Sequence, residues 1–196
     1  GAIATGCSDE EPAPYRGGTS SGSNTSGGTS GDTTSGGTSG TTTPTLKARA
    51  TIAKTGASTT EISGTVDFEE TDGVTKVAVK ITGATPGDHG LHIHANGSCD
   101  PVDNDAGLGA GGHWNPLDAG HALPQVGTGH MGDLGNITIG ADGSGTLSAT
   151  SNAFYVKDGP FSVVGKAVIF HAKHDDGTGP VGNAGARPGC GVIQKQ

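Results

Sequence analysis

The sequence predicts an all-β domain, an antiparallel sandwich or closed barrel, behind a flexible tail. Three observations point there. Short alternating or β-branched runs recur between glycine turns. No segment keeps helical periodicity for ten residues. From Tyr15 to Thr45 the chain is almost wholly Gly, Ser and Thr, with the tetrad GGTS at Gly17, Gly27 and Gly36. Such a segment has too little apolar surface to offset its conformational entropy, so residues 1–45 are expected to be a leader remnant and linker. From Cys7 to Leu46 the linker would span roughly 35 Å. Residues 46–196 are expected to form one domain with its own core.

The elements follow in order. "LKARATIAK" (Leu46–Lys54), "EISGTVDFEE" (Glu61–Glu70) and "VTKVAVKIT" (Val74–Thr82) are three alternating runs. "NITIGADGSGTLSAT" (Asn136–Thr150) reads as two strands joined at Asp142-Gly143, a hairpin signal. "FSVVGKAVIFHAK" (Phe161–Lys173) carries another β-branched run, and "GCGVI" (Gly189–Ile193) a short final strand. About eight short strands fit a sandwich or barrel. Two segments lack strand character: Asn96–Asp133, rich in Gly, Asp, Pro and His, and the shorter His174–Pro188. Long loops in a compact domain are usually functional unless disordered.

The chemistry concentrates in the histidines. In "HGLHIHANGSC" (His89–Cys99), His92 and His94 stand either side of Ile93. On a strand they point to one face, and two imidazoles at that spacing can share a metal ion. Alone, His-x-His on an exposed strand is more often incidental. The following loop adds His113, His121, His130 and Asp133, a four-ligand nitrogen and oxygen set of the kind that holds structural zinc. His92, His94 and His171 supply three nitrogens for a second ion, and imidazole-rich planar sets suit copper(II). A histidine shared between the sets would complete four nitrogens at the second ion.

Three cysteines leave one over after a single pairing. Cys99 and Cys190 lie in the expected domain and Cys7 outside it. A Cys99–Cys190 disulfide formed in an oxidising compartment is the economical reading, two unpaired buried thiols the other. The start, "GAIATGCSDEEP", has no methionine and resembles the end of a processed leader with Cys7 as a lipidated residue, although Ala4 stands where a larger aliphatic residue is usual. A single lipid on a long spacer would tether the domain near a membrane without spanning it. No stretch approaches the roughly 20 apolar residues of a membrane span. The formal net charge of −8 argues against nucleic acid or an anionic membrane surface as partner.

The motifs "HGLHIHANG", "GGHWNPLDAGH", "GHMGDLGNIT", "VIFHAKHDD" and "GNAGARPGCGVI" together resemble the copper/zinc superoxide dismutase family, in its order and very nearly its ligand spacing. With the flanking strands the resemblance covers Leu46–Ile193. It implies an eight-stranded Greek-key β-barrel with two long active-site loops. It implies copper on His92, His94, His113 and His171, and zinc on His113, His121, His130 and Asp133. It further implies catalytic roles for His113, as bridge and proton donor, and for Arg187, beside the copper. Asp175 would link a copper histidine to a zinc histidine, and Cys99 and Cys190 would form the intrasubunit disulfide. His89 falls where the family has a structural histidine. His174 has no counterpart and reads as solvated, while Lys173 is a candidate to add to the local positive field.

The implied activity converts the superoxide anion to dioxygen and hydrogen peroxide; the Cys7 leader and the expected disulfide set it outside the cytoplasm, in the periplasm or at the cell surface, as a bacterial lipoprotein. The chain departs from the better-known eukaryotic pattern in three places: a short His171–Arg187 segment, Val181 in place of a threonine, and the ending "GVIQKQ" where dimeric members carry apolar interface residues. The last favours a monomer over a homodimer. The rival readings are a non-catalytic copper-binding or copper-delivery protein of the same fold, and a zinc-loaded structural or adhesion module.

Overall fold

The computed structural model describes residues 44–196, apart from 125, 126 and 128. Cys7 and the Gly/Ser/Thr-rich segment lie outside the described residues. Eight strands make the domain: β1 (Leu46–Lys54), β2 (Ser63–Thr71), β3 (Val74–Thr82), β4 (Gly87–His94), β5 (Asp133–Ile139), β6 (Gly145–Ser151), β7 (Ala167–Phe170) and β8 (Gly189–Lys195). Every pairing between them is antiparallel, in the order β5-β4-β7-β8-β1-β2-β3-β6. Neighbours that are far apart in sequence, β3 with β6 and β4 with β7, require connections that cross the barrel ends.

Alternation sets which face is inside. On β1, Ala48, Ala50 and Ile52 are buried and Lys47, Arg49 and Thr51 exposed. On β3, Val77, Val79 and Ile81 are buried while Lys76, Ala78 and Lys80 face out. With Val66, Phe68, Leu91, Ile93, Ile137, Val168, Phe170 and Ile193 they form one core. Phe68 and Phe170 are wholly buried, and truncating either to alanine should cost about 3–5 kcal/mol. The β6–β7 crossover packs Phe154, Val156 and Val163 on this core. The buried Glu70 carboxylate pins it, accepting the N–H groups of Val156 at 2.7 Å and Lys157 at 2.9 Å.

The Asp142-Gly143 signal marks a turn, with Gly143 at φ 77° and Gly143 N–H donating to Gly140. It does not make a paired hairpin. β5 pairs with β4 and β6 with β3, so the turn joins the two edge strands of the sheet. The strand within Phe161–Lys173 is shorter than the apolar run suggests, because Phe161 and Val163 pack from the crossover rather than from the sheet.

Candidate metal centre

β4 is buried on both faces. Leu91 and Ile93 belong to the core, whereas His92 and His94 project from the opposite face, each fully buried. The chain leaves β4, runs through the loop that Cys99 anchors to Cys190, and returns alongside its starting point. Its return is held by Ala95 N–H on Gly112 and Asn96 N–H on Ala110. His113 thereby bridges to His94, and Trp114 N–H donates to Ile93 at 2.9 Å. Gly132 N–H donates to Trp114, and Ile93 N–H to Gly132, which places Asp133 beside His113. His171 follows β7 directly, its N–H on the Gly90 carbonyl. Beyond it, bonds from Ala172 to Ala186 and from Lys173 to Ala184 bring the second loop back to Arg187.

Two sets of ligand atoms result. His92, His94, His113 and His171 bring one atom each to within 4.8 Å of one another, all four residues buried. His113, His121, His130 and Asp133 do the same. His113 belongs to both.

Hydrogen bonds assign the ring tautomers. His94 Nδ1–H donates to Gly111 at 2.9 Å and His171 Nδ1–H to Gly185 at 3.2 Å. Their Nε2 atoms are left bare and face each other at 3.3 Å. The Asp175 carboxylate accepts His92 Nε2–H at 2.7 Å and His121 Nε2–H at 2.9 Å. That leaves Nδ1 of both rings bare. His92 Nδ1 and His113 Nε2 are buried without any hydrogen-bond partner. In the second set, His113 Nδ1 and His121 Nδ1 lie 2.8 and 2.9 Å from the two oxygens of Asp133, and His130 Nδ1 lies 3.3 Å from Asp133 Oδ1.

Buried lone pairs aimed at one another are unfavourable unless a cation lies among them. The donor sets therefore fit two metal ions, four imidazole nitrogens for one and three nitrogens with a carboxylate for the other. Asp175 fixes the orientation of one ring in each set. Asn136 in turn holds Asp175, its Nδ2–H on the Asp175 carbonyl and its Oδ1 accepting the Asp175 N–H.

Electrostatics favour the ligand-ready forms. Burial lowers His94 to about 2 and His171 to about 3, and lowers His92 as well. Burial would raise the carboxyls of Asp133 and Asp175. Burial is the largest single influence, but the bond from His113 together with the charges of His113, His121 and His130 outweighs it at Asp133, and the bonds from His92, His121 and Gly177 together with the charge of His92 outweigh it at Asp175, so both stay below the usual range. Arg187 adds to the lowering at His94 and His171, so its charge reaches the all-imidazole set. Its guanidinium donates through Nη1 to the Gly107 carbonyl at 3.0 Å, and its own carbonyl accepts the Thr55 hydroxyl at 2.6 Å.

The remaining histidines stand apart. His89 lies in the core side of β4, stacked on Phe170, with its ring nitrogens 2.9 Å from the carbonyls of His171 and Thr85. His174 is exposed. Sequence reasoning missed the carbonyls of Gly111 and Gly185 and the Asn136 support of Asp175, which no residue-type signal marks. It also missed Gly182, at φ 65°, where a Cβ would sit 1.8 Å from Asp175 Oδ1 and 2.7 Å from His121 Nε2. A positive φ was not visible among so many glycines.

The chain matches the family model "Copper/zinc superoxide dismutase (SODC)" over residues 62–193. It is 38% identical to the extracellular superoxide dismutase [Cu-Zn] of Caenorhabditis elegans over 157 residues, covering 76% of this chain and 69% of the relative. It is 39% identical to the superoxide dismutase [Cu-Zn] of Deinococcus radiodurans over 147 residues, 69% of this chain and 79% of that one. Among solved structures, the clock protein EA4 superposes with a TM-score of 0.66 at 31% identity, over 76% of this chain and 94% of that one. Half or more of the sequence thus falls under one family model, and the donor chemistry agrees with it: the chain belongs to the copper/zinc superoxide dismutase family, oxidoreductases that act on superoxide with copper and zinc.

Proposed function

We propose that this protein removes superoxide outside the cytoplasm and so protects the cell envelope. His92, His94, His113 and His171 hold the copper, and His113, His121, His130 and Asp133 hold the zinc. The observation that carries the reading is the pair of bare, buried ring nitrogens, His92 Nδ1 and His113 Nε2, together with the facing Nε2 atoms of His94 and His171.

Bound there, copper supplies a one-electron couple that superoxide can both reduce and reoxidise, while zinc contributes a fixed charge without redox change. Two superoxide anions and two protons give one dioxygen and one hydrogen peroxide. Arg187 offers a permanent positive charge and N–H donors to the entering anion. His113 presents Nε2 to one set and Nδ1 to the other, so Nε2 can carry a proton to the peroxide while Nδ1 keeps the ring in place. Asp175 holds His92 and His121 in the tautomers the ions require. The half-buried Arg187 matters because a chain at −8 repels anions at long range, and only a local field can draw them in.

The Cys99–Cys190 disulfide and the extracellular relative support a location outside the cytoplasm. A lipid on Cys7 would keep the domain near the membrane. The polar Gln194 and Lys195 of β8, where dimeric members carry apolar interface residues, suit a monomer.

The test is purified protein loaded with copper and zinc. One ion of each per chain and rapid dismutation are expected. Stoichiometric copper with no turnover would overturn the enzyme reading and leave a copper-binding protein.

A further inference from the structure

Arg187 is held by its backbone as well as by its guanidinium. Pro188 follows it, and the residue before a proline is confined largely to extended backbone. The β1–β8 ladder ends with Ala53 opposite Cys190 and Lys54 opposite Gly189. One residue further, Thr55 leaves the sheet and meets both carbonyls of the Arg187-Pro188 pair. Its N–H donates to Pro188 at 2.9 Å, and its hydroxyl donates to Arg187 at 2.6 Å. The hydroxyl is itself fixed, because Thr55 Oγ1 accepts the Ala57 N–H at 3.2 Å. Thr55 is half-buried and Pro188 buried. At the far end of the arginine side chain, Nη1 donates to the Gly107 carbonyl at 3.0 Å. The two holders come from separate segments, the turn after β1 and the loop tied to β8 by Cys99–Cys190. These segments lie close together: a Cβ on Gly56 would be 3.8 Å from Ala106 Cβ.

We propose that Thr55 is a positioning residue for anion capture, its hydroxyl fixing the Arg187 carbonyl and with it the root of the guanidinium. The inference rests on the reading of Arg187 as the group that meets the entering superoxide. A guanidinium recognises an anion through a planar fork, so its direction matters as much as its charge. An arginine free to turn would lose rotamer freedom on each encounter. Held at the main chain and at one Nη, it has little left to lose when the anion arrives. Neither bond from Thr55 to the Arg187-Pro188 pair reaches a ligand of either metal set, so Thr55 acts through the arginine alone. The hydroxyl and its acceptor are 132 residues apart in the chain, and only the β1–β8 pairing brings them together.

The test compares Thr55→Val, which keeps the branched shape and the main-chain bond but loses the hydroxyl, with Thr55→Ser, which keeps the hydroxyl. Ser58→Ala is the control, since it removes the bonds between Ser58 and Thr60 in the same turn. In the copper- and zinc-loaded protein, Thr55→Val should lower kcat/KM about two- to fivefold at low ionic strength, with metal content unchanged. In the reduced, diamagnetic holoenzyme, the Arg187 Nε–H resonance should then respond to inorganic phosphate only at about two- to fivefold higher concentration. Thr55→Ser and Ser58→Ala should match the parent on both measures. In an Arg187→Ala background, Thr55→Val should leave kcat/KM unchanged. Parental values in Thr55→Val would overturn the proposal. So would an equal loss in Thr55→Ser or Ser58→Ala, or a loss that persists without Arg187. Should Thr55→Val fail to fold, Thr55→Ala removes the same hydroxyl and carries the same expectations. Absence of turnover in every variant, the parent included, would sink the functional reading instead, while the phosphate titration would still report on Thr55 and Arg187.

Discussion

Asp175 Oδ2 lies 2.7 Å from His92 Nε2, and its other oxygen lies 2.9 Å from His121 Nε2, so one carboxylate orients one ring of each metal set. Neither oxygen is exposed. Asparagine at this position can accept from one ring only, and its amide would face the other ring's N–H. Asp175→Asn should weaken both metals, each by about 10–100-fold. Metal content after dialysis against a graded chelator series measures this. Retention of both ions at parental levels would contradict the assigned role.

His171→Ala separates the two sets, because His171 belongs only to the all-imidazole one. The variant should lose copper and dismutase activity while keeping one zinc per chain. Loss of both ions together would mean that the sets are not distinct.

Arg187→Ala should slow dismutation on the order of tenfold at low ionic strength, by removing the local attraction for anions. It should also weaken inhibition by azide, with copper content unchanged. Kinetics identical to the parent would remove Arg187 from the mechanism.

The Cys99–Cys190 bond closes a sequence separation of 91 residues. Chain entropy places its contribution at about 4.6 kcal/mol as an upper figure, and loss of a native disulfide typically costs about 2–5 kcal/mol. A Cys99→Ser, Cys190→Ser double variant should lower the free energy of unfolding, read from a denaturant titration, by that amount. It should also lower activity, since the freed loop carries the Gly107 carbonyl that receives Arg187.

Burial lowers His94 to about 2 and His171 to about 3, from 6.5 in an unperturbed histidine. Unfolding releases these rings to take up protons, so stability rises with pH between the folded and unfolded values. The metal-free protein should therefore lose stability as pH falls from about 6.5 towards 3, and be insensitive to these rings above that window. Thermal midpoints of the metal-free protein across pH 4–8 check this. A flat profile below pH 6.5 would show that the rings are already solvated without metal.

Much of the barrel was legible because alternation is a local property. Leu46–Lys54 and Val74–Thr82 are strands with the bounds their patterns suggest. Pairing is not local. Asp142-Gly143 correctly marked a turn, yet which partners β5 and β6 take depends on β4 and β3, distant in sequence. His92, His94, His113, His121, His130, His171 and Asp133 were readable as ligand types, and the structure gathers them into two sets. What places them was not readable: backbone carbonyls at Gly111 and Gly185, and the space at Gly182. Backbone groups have no letter in a sequence.

The ring of His113 belongs to both metal sets, Nε2 to one and Nδ1 to the other. Two ions sharing that one imidazole would not bind independently. Whatever factor zinc applies to the affinity for copper, copper must apply to the affinity for zinc, since the two loading orders begin and end at the same states. The order in which the ions arrive can then change the path and the rate of maturation, but not the final balance between partly and fully loaded protein.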